Sequence, residues 1–108
     1  MSLSTHVLDA TTGRPAEGVV VRLDERVDGE WRTAAQGDTD ADGRIGALGD
    51  PGAGIHRIHF DTGGYFDAAG VAAFYPEVTV TFRVVDPAAH HHVPLLLSPF
   101  AFSTYRGS

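Results

Sequence analysis

Apolar and polar positions alternate along much of this chain with a period of two, the spacing of a strand with one buried face. The clearest stretch is residues 76–85, where Val78, Val80, Phe82 and Val84 alternate with Glu77, Thr79, Thr81 and Arg83. Residues 3–9 alternate more loosely and are stopped by the Gly/Pro-punctuated segment 10–15. The β-branched run 19–23 and the run 30–36 predict two more strands, joined as a hairpin by Asp28-Gly29. After the polar loop 38–43, residues 44–48 predict a short edge strand, which ends at the Gly/Pro break 49–54. Residues 55–60, 90–98 and 100–108 complete the strands, with Pro99 separating the last two. Residues 63–69 alone read as a helix, capped by Asp61-Thr62 and closed by Gly70. Each of its two glycines costs up to about 1 kcal/mol relative to Ala, so packing of Tyr65 and Phe66 has to hold it. About eight short strands and one short helix predict an all-β fold, a β-sandwich of two sheets.

Length and composition narrow the picture. A chain of 108 residues with 43% hydrophobic and 20% charged positions is expected to fold as a single domain over 1–108, and no internal repeat or linker argues otherwise. It is small enough that association with copies of itself would help bury surface. All eight cationic side chains are Arg, the formal net charge is −6 and no basic cluster occurs, so no nucleic-acid partner is expected. The absence of cysteine leaves no disulfide framework or thiolate metal site, and a reducing compartment would suit the chain. No segment approaches the roughly 20 apolar residues of a membrane span, and the N-terminus lacks the basic and apolar regions of a secretory signal. A cytoplasmic protein without membrane attachment is the expectation.

Three consecutive histidines, His90, His91 and His92, stand out. On a strand, His90 and His92 share one face and His91 takes the other. A His-x-His pair with His6 as third ligand suits zinc and leaves a position open for water, but surface or hydrogen-bonded imidazoles are the more ordinary account of such a run. Arg44 follows Asp42-Gly43 in a polar turn, where a solvated arginine is the ordinary expectation. The spacing of Asp38, Asp40, Asp42 and Gly43 faintly resembles a calcium loop but lacks the glutamate that should follow. No Gly-x-Ser-x-Gly elbow supports a serine hydrolase. The aromatic side chains read as core and interface packing.

The run from His90 through Val93-Pro-Leu-Leu-Leu-Ser-Pro to Tyr105-Arg-Gly-Ser108 resembles the ending of 5-hydroxyisourate hydrolases, in which Tyr-Arg-Gly-Ser is a family signature. The residues 3–9, the Gly13-Arg-Pro15 and Asp42-Gly-Arg44 turns, Phe60-Asp-Thr62 with Tyr65-Phe66, and residues 74–78 resemble family segments in the same order. The resemblance implies a transthyretin-like sandwich that hydrolyses 5-hydroxyisourate in urate degradation, with no cofactor and no metal. It implies catalytic roles for His6, Arg44 and His92, and substrate contacts from Tyr105, Arg106 and Ser108. It further implies a homotetramer, a dimer of dimers with active sites at the dimer–dimer interface. His91 departs from the family, which usually has Tyr there, and is expected to be a packing change on the face opposite His92. One face of one sheet would then present His6, His92 and Tyr105, with Val93, Leu95 and Leu97 inward and His92, Pro94 and Leu96 toward the channel. The alternative is a transthyretin-like protein that binds a small ligand without catalysis.

Overall fold

The computed structural model describes residues 2–108, which form nine strands and one helix. The first strand, β1 (Leu3–Asp9), turns Leu3, Thr5, Val7 and Asp9 inward and Ser4, His6 and Leu8 outward, as its alternation predicts. It is the spine of the first sheet. The two-residue β2 (Arg14–Pro15) folds back on its end, inside the segment that the sequence reads only as a turn. The strands β3 (Val20–Val27) and β4 (Glu30–Asp38) form the expected hairpin, with Asp28 and Gly29 at φ 53° and 79° as a primed turn requires.

The predicted edge strand at residues 44–48 is regular only over β5 (Arg44–Ile45), which pairs antiparallel with β1. Leu48 nevertheless donates its N–H to Leu3 O at 2.7 Å, so the chain returns to β1 after an irregular excursion. Next come β6 (Gly54–Phe60), the helix α1 (Thr62–Ala68), β7 (Val78–Val84), β8 (His91–Ser98) and β9 (Ala101–Thr104). The helix begins one residue before its predicted start because the Asp61 carboxylate accepts from Gly64 N–H at 3.1 Å. Phe66 is buried and the Tyr65 hydroxyl donates to the buried Asp9 carboxylate at 2.9 Å, so tertiary contacts do hold it.

One sheet has the order β2-β1-β8-β9 with β5 also on β1, and the other β4-β3-β6-β7. Between them lie Leu3, Val7, Val21, Leu23, Ile58, Phe60, Val78, Leu95 and Leu97, all buried. The strands β1 and β8 run parallel, with Ser4 opposite His92 and His6 opposite Pro94. Because each strand alternates, this register puts Ser4, His6 and His92 on the outer face of the first sheet and Val93, Leu95 and Leu97 in the core.

Candidate active site

Two imidazoles and a guanidinium from distant parts of the chain meet on that outer face. His6 and Arg44 are direct cross-strand partners between β1 and β5, a placement that brings Cβ atoms to about 5 Å. The polar loop before β5 exists to deliver Arg44 there. Asp40 accepts from the N–H groups of Asp42 and Arg44 at 2.9 and 3.0 Å, and Asp40 N–H donates to Arg44 O at 3.0 Å. Gly43 O accepts from Val7 N–H at 2.7 Å, which ties the loop to β1. Gly43 sits at φ 73° with its missing Cβ aimed 2.4 Å from Val7 O, so no other residue fits. The acidic spacing that faintly resembles a calcium loop therefore makes a side-chain-capped turn. No group of three or more His, Cys, Asp or Glu side chains that could hold a metal ion occurs among the described residues.

His92 stands beside this pair. Its Nδ1 lies 2.7 Å from Ser4 Oγ, its register partner. Burial, reinforced by the nearby charges of Arg44, His6 and His90, holds its pKa below the ordinary histidine value of 6.5. A half-buried imidazole so placed is neutral at pH 7 and available as a base. Its backbone is clamped by Gly107, whose N–H donates to His92 O at 2.8 Å. A Cβ on Gly107 would come 2.4 Å from His92 Cδ2, so glycine there lets the chain lie against the imidazole edge.

The remaining residues of the terminal motif are placed differently. Tyr105 and Arg106 lie beyond β9 and line a cavity of about 210 Å³ at the open edge between the sheets. His91 and Val93, which point inward, line the same cavity. His91 is buried, and its Nδ1 is 2.9 Å from Ala89 O, consistent with a packing role on the face opposite His92. Ser108 is exposed and follows the residue bridged to His92. The structure thus gathers His6, Arg44 and His92, while Tyr105 and Arg106 stand at the sheet edge. Reasoning from the sequence missed Ser4 and Gly107. Ser4 shares the period-two face of His6, and a glycine held between Arg106 and Ser108 marks a close approach.

A two-sheet sandwich carrying this polar trio on one outer face is a transthyretin-like protein. Residues 3–107 match the HIUase/Transthyretin family, and the chain belongs to it. It is 47% identical over 109 residues to the 5-hydroxyisourate hydrolase of Salmonella typhimurium, covering 98% of this chain and 80% of that one. Among solved structures it is similar to the 5-hydroxyisourate hydrolase of Klebsiella pneumoniae, with 40% identity, a TM-score of 0.87 and coverage of 99% and 93%. Sea bream transthyretin in complex with thyroxine superposes with a TM-score of 0.93 at 34% identity, covering 99% of this chain and 95% of that one.

Proposed function

We propose that residues 1–108 act as one domain that hydrolyses 5-hydroxyisourate to 2-oxo-4-hydroxy-4-carboxy-5-ureidoimidazoline, in urate degradation. The observation that carries this reading is the His6–Arg44 cross-strand pair beside a His92 whose pKa is depressed. Ring opening needs a base for the attacking water, a cation for the developing oxyanion and a proton for the leaving nitrogen. His92 is the base, because burial and the neighbouring cation keep it neutral and Ser4 engages Nδ1, leaving Nε2 for water. Arg44 holds the anionic ring and the oxyanion with its planar fork of donors. His6 orients the substrate or returns the proton to nitrogen. Tyr105, Arg106 and Ser108 contribute to substrate binding from the segment after β9. A general acid or base supplies about 10² to 10⁴ in rate, so such a trio is a sufficient device for an intermediate that also decays unaided.

The proposed assembly is a homotetramer, a dimer of dimers in which the outer face of the first sheet lines the dimer–dimer interface. The exposed apolar side chain of Leu96 on that face supports it. No helix among the described residues is long and apolar enough to cross a membrane, and a cytoplasmic location is proposed with the rest. The likeness to a thyroxine-bound transthyretin favours a second reading, binding of a small ligand without catalysis. The polar trio weighs toward hydrolysis, since it supplies a base and a cation that binding of the apolar part of a ligand would leave unpaired.

The test is the decay of freshly generated 5-hydroxyisourate, followed by absorbance with and without the protein. Acceleration by the wild type, and its loss in His6→Ala and His92→Ala with circular dichroism unchanged, is the expected outcome. Binding of thyroxine with no acceleration would establish the second reading instead.

A further inference from the structure

A hydroxyl has one hydrogen to give, and Ser4 stands between two imidazoles. Its Oγ lies 2.7 Å from His92 Nδ1 and 2.8 Å from His90 Nε2. Ser4 can donate to one ring and accept from the other, or accept from both. The first possibility has two arrangements, and it alone connects the two rings through a donated hydrogen. In the first, His92 Nδ1–H donates to Ser4 and Ser4 donates to His90 Nε2, which leaves His92 Nε2 unprotonated. In the second every donor reverses, and His92 Nε2 carries the hydrogen. In these two arrangements the tautomers are tied together through one hydroxyl. The backbone fixes the spacing: Ser4 and His92 are partners in the β1–β8 ladder, and His91 N–H donates to Ser2 O at 3.3 Å just before it. His90 itself is exposed, with its Nδ1 3.5 Å from Ser2 Oγ.

We propose that Ser4 and His90 are positioning residues of the hydrolytic site, a relay that holds His92 with Nε2 free and passes the proton taken from water to the solvent-facing His90. The relay rests on the reading of His92 as the base. As water adds to the carbonyl carbon, one of its O–H bonds breaks and an N–H bond forms at His92 Nε2. The His92 Nδ1–H bond breaks as Ser4 Oγ takes that hydrogen, and Ser4 gives its own to His90 Nε2. His92 and Ser4 end neutral, and His90 becomes the imidazolium.

The electrostatics favour that direction. The charged groups facing His92 are Arg44 from β5, His6 from β1 and His90 from the segment before β8. A cation on half-buried His92 would sit beside the Arg44 guanidinium, whereas on exposed His90 it is hydrated. The depressed pKa of His92 agrees with this order.

Two readouts test it. Long-range ¹H–¹⁵N NMR at neutral pH should find wild-type His92 protonated at Nδ1 and should find that preference lost in Ser4→Ala. In the absorbance assay, Ser4→Ala should lower kcat by about ten-fold or more with KM within about two-fold, as a misplaced tautomer does, and Ser4→Thr should restore it. His90→Ala should lower kcat and be partly rescued by added imidazole. The threonine and His90 variants decide the matter if Ser4→Ala fails to fold. An active wild type whose His92 is protonated at Nε2, or a folded Ser4→Ala with unchanged kcat, overturns the relay alone. A wild type that does not accelerate decay overturns the hydrolase reading and the relay with it.

Discussion

The chemistry proposed for His92 rests, at the residue scale, on which charges surround it. Removing the guanidinium in Arg44→Gln should raise the His92 pKa toward 6.5, because Arg44 is the largest charge holding it down after burial itself. An NMR titration of the imidazole measures this whether or not the variant is active. For the wild type, the acid limb of the pH–rate profile should fall below pH 6.5, since the base stays neutral to lower pH than a free imidazole. Arg44→Lys keeps the charge but loses the fork, and should lower kcat/KM by about 10² in the absorbance assay, as removal of an oxyanion donor does. Gly107→Ala should also lower activity, because the new Cβ would displace the His92 ring it meets at 2.4 Å. Alternation alone puts His90 and His92 on one face and His91 on the other, so that much was legible from the histidine run. The partnership of His6 with Arg44 was not. It depends on a two-residue strand closing onto β1 from 38 positions away in sequence, and no local pattern encodes such a register.

The elements most visible in the sequence are those whose pattern is both long and local, such as β7 and the β3–β4 hairpin. Those held by a few tertiary bonds were read less well. β2 is hidden in a turn-like segment because two pairings with β1, at Leu8–Pro15 and Asp9–Arg14, make the whole strand. β5 is shorter than its apolar run because Gly46 and Ala47 depart from the ladder before Leu48 rejoins it. The second sheet carries a feature that hydrophobic patterning cannot register. Asp24, buried in β3, accepts from Arg22 at 2.9 Å and from Arg57 of β6 at 2.8 Å, and Thr33 of β4 donates to it at 3.3 Å. Arg57 also lies 4.3 Å from the Trp31 ring, so one carboxylate and one guanidinium join three strands. Burial pushes the Asp24 pKa up, but the hydrogen bonds from Arg22 and Arg57 outweigh it and hold it below 3.8. Both arginines reach solvent, so Asp24→Asn should cost about 2 kcal/mol, the value of charge-assisted bonds, and not the larger penalty of a fully buried pair. Urea unfolding measures it. The folded pKa lies below the unfolded one, so this contribution is present above the unfolded value of about 3.9, is lost as pH falls from there through the lower folded pKa, and should be absent in Asp24→Asn.

At the scale of the whole molecule, a group of exposed aromatic side chains lies along one edge. β7 and β9 are the last strands of their sheets, and the cavity between the sheets opens at that same edge. Nearby stand Phe74 and Phe100, each 70% exposed, and Phe102 at 40%, with Tyr75 joining Phe74 and Phe102 by edge-on ring contacts at 5.0 and 5.2 Å. Unpaired strand edges flanked by aromatic rings favour pairing with a second copy. The outer face of the first sheet is a separate surface, where Leu96 is 38% exposed on the strand that carries His92. The dimer of dimers proposed above would use both surfaces, edge to edge within a dimer and face to face between dimers. The two contacts should therefore come apart under mutation. Leu96→Glu puts a carboxylate on the face, opposite Ser103 of β9 and one strand in from the free edge, and should convert tetramers to dimers in sedimentation equilibrium. Its activity should fall with the tetramer fraction, because a site on an uncovered face loses the wall that excludes water from His6, Arg44 and His92. If Leu96→Glu remains a tetramer of full activity, that face lies outside the interface, and the catalytic groups work from an open surface within one chain.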